Sequence, residues 1–350
     1  MAFPSAAVVR YTTVLAALAS ALVVAQSATP APSGAPPGRL AVIGDGTLYV
    51  IRPGDGRKRM VAPLDVSSAA WSRDGRRLAY VGEGAVRTPS RPRHVIAPLG
   101  GMFTEGVSWA PSGRRLAFAA HAAFAPTAQL VVARRDGRRP RVVERGASPY
   151  QVPQWSPTGN EIAYFKPSAD AQAAIWLVRP TGGGHRLVQR GVVDDGTRLA
   201  WSPDGTQLAF VRRLTEAGGS EVGLAVMRAN GTKTRAVAAA AAGNEAGIVE
   251  VRWSPSGKAI AYLFDPDGPA PETELRLAFP SGAPGRVLVR APYIDELAWS
   301  PDGRWLAYIA EDPSTASGVP MSVWLVRSDG SESRMIARFD EPAYGLAWGR

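Results

Sequence analysis

The sequence predicts an all-β fold, and within that class a seven-bladed β-propeller with four-stranded antiparallel blades; a six-bladed propeller is the alternative. Two observations predict it. One decapeptide recurs six times, most copies being followed by a second pair of strand-like segments, and the two chain ends each carry part of one further repeat. A repeat period of roughly 40 to 50 residues is typical of propeller blades.

The decapeptide begins with a tryptophan and has a glycine four residues later in every copy. The copies are WSRDGRRLAY from Trp71, WAPSGRRLAF from Trp109, WSPTGNEIAY from Trp155, WSPDGTQLAF from Trp201, WSPSGKAIAY from Trp253 and WSPDGRWLAY from Trp299. A seventh copy starts at Trp348 and stops at the end of the chain, and successive tryptophans lie 38 to 52 residues apart.

Each position of the decapeptide predicts a local structure. Proline, then Asp, Ser or Thr, then glycine favours a type I turn that closes through a left-handed residue, a conformation open to glycine. The aliphatic-Ala-aromatic run that follows predicts a strand buried on both faces, in which the small alanine allows close approach of a neighbouring sheet. We expect the tryptophan to fill the wedge between blades.

The chain ends complement each other. Residues 40–63 read as strands without a leading tryptophan motif, and residues 344–350 read as a leading strand with nothing after it. Together they predict one complete blade, in which the N- and C-terminal strands pair and close the ring. Such closure would leave no open sheet edge.

The N-terminal residues predict export. Residues 1–27 resemble a secretory signal, with Arg10, an apolar run over residues 12–24 and a small-residue cleavage site at Ala25-Gln26-Ser27. The run is shorter than the about 20 residues of a membrane span, so an uncleaved anchor is only the alternative. We expect a Pro-rich linker at 28–38, the propeller at 39–350, a periplasmic or extracellular location, and no stable membrane span after signal cleavage.

Composition narrows the functional classes. The chain has no cysteine, which excludes disulfides, thiolate metal sites and cysteine nucleophiles. Its formal net charge is +10, and almost all of the positive charge is arginine, a bias that accompanies many Ala, Gly and Pro residues. We attribute the charge mainly to composition and expect no nucleic acid partner; polyanion binding by an arginine-rich face is a further hypothesis.

The WSPDG-type repeats resemble those of the TolB family over Leu40 to Arg350. The resemblance implies a propeller of the bacterial envelope that binds other proteins, notably a peptidoglycan-associated lipoprotein. TolB carries an α/β domain before a six-bladed propeller, whereas here we expect only the 11-residue linker between signal and propeller. The resemblance therefore implies the propeller scaffold rather than a role in the Tol system.

We expect no catalytic residues, no metal and no cofactor. A G-x-S-x-G nucleophile elbow is missing from the sequence, and the nearest string, Gly106 to Ala110, falls in a predicted strand. The three histidines, His94, His121 and His185, lie far apart in sequence. The alternative is a propeller enzyme or binder acting on a carbohydrate or another small molecule in the central channel, as in oligogalacturonate lyases.

The loops between blades share one face and collect carboxylates and aromatic residues, which predicts an acidic mouth that binds a protein or peptide partner. Its predicted residues are Glu105, Tyr150, Asp194, Asp195, Glu250, Tyr293, Asp295, Glu296, Asp340, Glu341 and Tyr344. Aromatic side chains commonly dominate binding energy, and charge selects the partner and speeds encounter. We expect the protein itself to be a monomer.

Overall fold

The fold is taken from a computed structural model of the 350-residue chain. The structure describes residues 34–350 except 64, 91–93, 150–151, 168–172, 194–198, 214–221, 240–246, 267–271 and 312–319. The predicted signal and most of the linker therefore lie outside the described residues. Contacts divide the chain into Met1–Gly34 and Ala35–Arg350. Within the described residues, no helix has the length and apolar character needed to cross a membrane.

The described residues form strands and no helices, which confirms the all-β class. The strands are β1 (Arg39–Gly44), β2 (Thr47–Ile51), β3 (Lys58–Ala62), β4 (Val66–Trp71), β5 (Leu78–Gly82), β6 (Ala85–Thr88), β7 (His94–Pro98), β8 (Val107–Trp109), β9 (Arg115–Ala120), β10 (Ala128–Arg134), β11 (Arg141–Ala147), β12 (Gln154–Trp155), β13 (Ile162–Pro167), β14 (Ala173–Val178), β15 (Arg186–Val192), β16 (Ala200–Trp201), β17 (Gln207–Arg213), β18 (Val222–Arg228), β19 (Arg235–Ala239), β20 (Gly247–Trp253), β21 (Ile260–Asp265), β22 (Thr273–Ala278), β23 (Arg286–Ala291), β24 (Ile294–Trp299), β25 (Trp305–Glu311), β26 (Met321–Arg327), β27 (Ser333–Phe339) and β28 (Ala343–Gly349).

The decapeptide forms the tight turn that its sequence predicts. In the copy from Trp201, Gly205 has φ +73° and donates its N–H to the Ser202 carbonyl at 2.9 Å. The Ser202 hydroxyl donates to Asp204 Oδ1 at 2.6 Å and accepts the N–H of Gln207 at 2.9 Å. The serine and aspartate thus satisfy polar groups that the turn leaves outside the ladder.

The strands pair into antiparallel sheets of four, as predicted. Five sheets have four strands each, and a sixth has eight. The larger sheet consists of β12–β15 and β16–β19, joined by a single pair, Val192 with Arg212. Six leading strands end at the tryptophan of a decapeptide, and β28 ends one residue after Trp348, so the repeat positions the sheets in a similar way.

The first and last strands pair with each other. β28 lies beside β1 in the order β28–β1–β2–β3, with Arg39 opposite Gly349 and Leu40 opposite Trp348. The edge that β1 would otherwise expose is therefore covered by the C-terminal strand. The number of seven blades and the closure of the whole ring stay predictions.

Hydrophobic clusters fill the spaces between neighbouring sheets. Leu40 and Val42 of β1 pack with β25 and β26, while the alternate residues Ala41 and Ile43 pack with β4 and β5. Because successive side chains of a strand point to opposite faces, β1 is buried on both. The repeat alanines are fully buried, as expected of positions where a sheet must approach closely: Ala79, Ala117, Ala163, Ala209, Ala261 and Ala307.

Candidate functional site: the acidic mouth and the tryptophan-lined cavity

The residues predicted to form the acidic mouth differ in exposure. Four are exposed: Glu105, Tyr293, Asp340 and Glu341. Three are half-buried: Asp295, Glu296 and Tyr344. Glu250 is buried, and Tyr150, Asp194 and Asp195 lie outside the described residues. The predicted mouth is therefore not a uniform ring of open carboxylates.

Glu250 is a structural carboxylate, which corrects its predicted place at an open mouth. Its side chain is 3% exposed and lies 2.5 Å from the Arg252 guanidinium. Its Oε2 accepts the backbone N–H of Leu297, in the next leading strand, at 2.8 Å. A buried carboxylate is stable only when it is paired and hydrogen-bonded, and both conditions hold here.

Glu296 repeats this arrangement one sheet further on. Its Oε1 accepts the N–H of Gly345 at 2.8 Å, and its Oε2 accepts that of Leu346 at 2.6 Å. The register of β28 against β1 shifts between Ala41 and Ile43, opposite these amides. A bulge of this kind leaves N–H groups outside the ladder, so the carboxylate of the preceding strand satisfies them. Glu296 thus joins β24 to β28, which is again a structural contact.

The Tyr344 hydroxyl is affected by burial, by one hydrogen bond and by the charges of two turn carboxylates. Its hydroxyl donates to the carbonyl of Val66 at 3.1 Å, which links β28 to β4. Burial, and after it the negative charges of Asp45 and Asp65, raise the pKa of Tyr344 above its ordinary value of 10.0. Sequence reasoning missed Asp45 as a mouth residue, although its position in Gly44-Asp45-Gly46, with φ +47°, marks a turn.

A second aromatic group at the predicted mouth surrounds His121. Phe103 forms an isolated antiparallel bridge with His121, and the two ring centres are 6.2 Å apart. Glu105 Oε1 lies 3.8 Å from His121 Nε2. Phe103 is 56% exposed, so a large apolar ring faces solvent beside a carboxylate. Such a pair can contact a partner through both an apolar and a charged group.

The histidines belong to separate environments. His185 Nδ1 lies 3.0 Å from Glu144 Oε2, and the same carboxylate oxygen accepts the hydroxyl of Tyr164 at 2.9 Å. His121 instead contacts Glu105. In the part of the chain that the structure describes, no three His, Cys, Asp or Glu side chains form a group that could hold a metal.

The tryptophans of all repeats line one cavity of about 570 Å³, together with turn prolines and small residues of the leading strands. These are Trp71, Trp109, Trp155, Trp201, Trp253, Trp299 and Trp348. The charged residues of the lining are Arg73, Arg252 and Arg350. Sequence reasoning placed the tryptophans between blades and did not predict that they also border a shared cavity.

Alternate indoles donate a hydrogen bond to the preceding leading strand. The indole N–H of Trp109 donates to the Ala70 carbonyl at 3.0 Å, and that of Trp299 donates to the Arg252 carbonyl at 3.1 Å. Trp201 makes the same contact with Gln154 at 3.2 Å. The cavity wall is therefore also part of the packing between sheets.

The fold and its repeats define a tryptophan-motif propeller, and the comparisons with known proteins agree. A family model described as the TolB beta propeller domain matches residues 113–338. The chain therefore belongs to the TolB β-propeller family. No curated protein matches it.

Solved structures with a similar fold have diverse roles. TolB from Acinetobacter baumannii is 16% identical, with a TM-score of 0.57 over 90% of this chain and 67% of that one. An oligogalacturonate lyase from Vibrio parahaemolyticus is 12% identical, with a TM-score of 0.60 over 85% of each chain. A chain of a nidogen/laminin complex is 13% identical, with a TM-score of 0.51 over 90% of this chain and 99% of that one. At this identity the likeness concerns the fold alone.

Proposed function

We propose that this chain is an exported, non-catalytic propeller of the cell envelope, monomeric, that binds a protein or peptide partner. In this proposal the four-stranded units form a closed ring of seven blades. The pairing of β1 with β28 and the packing of β1 on both neighbouring sheets support closure.

The observation that carries the proposal is the grouping of aromatic and acidic residues on loops around β28. Tyr293 is 45% exposed, and Asp340 and Glu341 are exposed in the loop that leads into β28. The negative charges of Asp45 and Asp65 help to raise the pKa of Tyr344, which lies in β28. Exposed aromatic rings beside carboxylates suit a partner segment with lysine or arginine, which gains cation–π contact as well as charge attraction.

The mouth can be tested with Asp340→Asn/Glu341→Gln, which removes two exposed charges that make no hydrogen bond in the described residues. The control is Asp55→Asn/Glu332→Gln, which makes the same change of charge on hairpin turns. Mature protein (residues 28–350) is cross-linked in an envelope extract of the producing organism, the captured protein is purified, and its Kd is measured for each variant.

We expect the mouth variant to bind about tenfold more weakly than wild type, a loss of about 1.4 kcal/mol, and the control to stay within about threefold. The affinity of the wild type should fall as salt rises, because the attraction between exposed charges is screened. Equal affinity of wild type and mouth variant would contradict the proposed site.

Export can be tested by following the location and cleavage of a chain that carries residues 1–27. The protein is produced with residues 1–27 in a bacterial host, and the periplasm, medium and membranes are separated. Intact mass of the recovered protein should correspond to a chain that begins at Ala28. Full-length protein retained in the membrane would support the uncleaved anchor instead, and full-length protein in the cytoplasm would contradict export.

A small-molecule site in the tryptophan-lined cavity is the second candidate. The indole nitrogens of Trp71, Trp155 and Trp253 are buried and have no hydrogen-bond partner in the described residues. These nitrogens are closed to solvent, so a ligand in the cavity would contact the indole rings and the polar groups of the lining rather than the ring nitrogens. A concave site that combines aromatic rings with polar groups is typical of ligand sites, and the lining contains both.

This candidate is tested by titrating neutral and acidic oligosaccharides while recording tryptophan fluorescence and looking for product by chromatography. Saturable quenching that is lost in Trp155→Phe, with Trp176→Phe as the control outside the cavity, would support binding in the cavity. Turnover of any of these sugars would overturn the non-catalytic assignment.

A further inference from the structure

A groove lined with arginines lies between the β8–β11 sheet and the adjacent turn of the next sheet. Its volume is about 890 Å³. Pro180 and Thr181, between β14 and β15, border it from the second sheet. Its arginines come from two turns and the adjoining strand ends of the first sheet: Arg114, Arg115, Arg134, Arg135, Arg139 and Arg141. We call this feature the arginine groove.

Strand register brings these positive charges into direct opposition. Arg115 of β9 lies opposite Arg134 of β10. The N–H of Arg135 donates to the carbonyl of Arg114 at 3.0 Å, so the next two arginines are neighbours as well. Like charges directly opposite each other on adjacent strands are destabilising. The two strand ends therefore place four arginines side by side, of which only Arg134 is paired with a carboxylate in the described residues.

One carboxylate in the groove shows how an anion is bound there. Asp136 accepts from Arg134 Nε and Nη2 at 3.3 and 3.1 Å and from the backbone N–H of Arg138 at 3.1 Å. It neutralises one guanidinium. A forked contact of this kind is the geometry in which arginine recognises carboxylate and phosphate.

The remaining guanidinium groups are available. Those of Arg114, Arg135, Arg139 and Arg141 have no ion-pair or hydrogen-bond partner within the described residues. The Arg115 guanidinium lies over the Trp155 ring, 5.3 Å from the ring centroid, and makes no ion pair in the described residues. Arg139 also adopts φ +54°, an uncommon conformation for a residue with a side chain.

In the next sheet, an acidic residue neutralises the corresponding strand-end arginine. Glu161 occupies the repeat position that Arg115 has in the preceding copy. Its Oε1 lies 3.1 Å from Nη2 of Arg186 at the start of β15. The neighbouring repeat therefore neutralises its strand-end arginine internally, whereas the arginine groove carries arginine in place of that glutamate.

We propose that the arginine groove binds an anion with several linked phosphate groups. A terminal phosphate group carries nearly two negative charges and three acceptor oxygens, against one charge and two oxygens for a carboxylate, and each internal phosphate of a linked chain adds one more charge at short spacing. Linked phosphates therefore match several guanidinium groups within one groove better than separate carboxylates do. This site is distinct from the acidic mouth and does not depend on the proposed protein partner.

The test uses mature protein and inorganic tripolyphosphate, with citrate as the carboxylate probe at equal ionic strength. The groove variant is Arg114→Gln/Arg139→Gln/Arg141→Gln. The control is Arg57→Gln/Arg76→Gln/Arg304→Gln, which removes the same charge from exposed turns of other sheets. Isothermal titration calorimetry gives Kd and stoichiometry at two salt concentrations, and thermal unfolding is recorded with and without tripolyphosphate.

We expect one tripolyphosphate per chain, an affinity that falls steeply with salt, and a loss of at least about tenfold in the groove variant, since each charge-assisted contact is strong. The control should stay within about threefold. Tripolyphosphate should raise the Tm of wild type and control but not of the groove variant. Without ligand, the groove variant should unfold at the same or a higher temperature than the control, because repulsion between arginines is relieved.

Four results would overturn the proposal. Equal losses in groove variant and control would mean that net charge alone binds the anion. Citrate binding as tightly as tripolyphosphate would remove the preference for phosphate. No saturable binding by wild type at low salt would remove the site. Tighter, cooperative binding of single-stranded DNA or of anionic vesicles, lost in the same variant, would replace the small anion by one of those polyanions.

Discussion

The carboxylate of Glu250 accepts the backbone N–H of Leu297 at 2.8 Å, across the boundary between two sheets. Glu296 makes the corresponding contact with Gly345 and Leu346 in the following sheet. In both cases a glutamate three residues before the tryptophan of one copy binds amides near the same position of the next. The contact joins successive leading strands, β20 to β24 and β24 to β28, whose tryptophans line the cavity.

Replacing Glu250 by alanine should strongly destabilise the fold. The change leaves Arg252 without its carboxylate and the amide of Leu297 without an acceptor, and breaking a buried pair costs about 3–5 kcal/mol. Glu250→Gln should lose less, because it retains an acceptor oxygen. Urea unfolding measures the difference, and Glu105→Gln, at an exposed carboxylate, should stay within about 0.5 kcal/mol of wild type. A Glu250→Ala variant as stable as Glu105→Gln would contradict the structural role.

Replacing Gly345 by alanine tests the close approach at the terminal pairing. Gly345 has φ +69°, and an added Cβ would lie 2.4 Å from Cδ1 of the buried Ile43. We expect a loss of about 2–4 kcal/mol, from left-handed strain and overpacking together. Gly84→Ala is the matched control, with φ +65° and no heavy atom within 4 Å, so it should lose only the strain, about 1 kcal/mol. Equal losses in urea unfolding would show that β28 does not pack tightly on β1.

The features that sequence reasoning predicted are local ones. Gly205 takes its positive φ because a tight turn between two strands requires it, and the adjoining Trp201 starts the motif wherever it occurs. Both signals lie within one decapeptide and recur along the chain. The pairing of Leu40 with Trp348 was also predictable, because each end carries the part of a repeat that the other lacks.

The features that sequence reasoning missed depend on contacts between repeats. From sequence alone, Glu250 is indistinguishable from an exposed loop carboxylate. Its partner, the amide of Leu297, is placed against it by a register shift between Ile294 and Leu297, and that shift has no sequence signature. The opposition of Arg115 and Arg134 likewise follows from the register of β9 and β10. Position in a repeat predicts the face of a residue but not the partner that covers it.

The turn aspartates should make stability depend on pH. The hydroxyl of Ser202, followed by the N–H of Thr206, holds the pKa of Asp204 below its ordinary value of 3.8. A carboxylate with a lowered folded pKa contributes stability above the unfolded value, and that stability is lost as pH falls through the folded pKa. Asp204→Asn should therefore cost up to about 1 kcal/mol at pH 7 and less at pH 2, below the ordinary pKa of 3.8.

Urea unfolding at pH 7 and pH 2 gives the two differences for Asp204→Asn. Asp340→Asn, at an exposed aspartate in the loop between β27 and β28, is the control and should change stability little at either pH. A difference between wild type and Asp204→Asn that persists unchanged at pH 2 would mean that charge plays no part in the turn.

Removing the hydroxyl of Tyr344 tests the link between the terminal sheet and β4. Tyr344→Phe deletes the hydrogen bond to the Val66 carbonyl and should cost about 1 kcal/mol at pH 8. Because the folded pKa is raised above 10.0, the neutral hydroxyl stabilises the fold below that value, and this stability is lost as pH rises through the folded pKa. The difference between wild type and Tyr344→Phe should therefore shrink above pH 10.

Tyr49→Phe is the control, because it removes a hydroxyl without a hydrogen-bond partner in the described residues. It should leave stability near wild type at pH 8. Equal losses in the two variants would show that the contact with Val66 adds nothing to the attachment of β28.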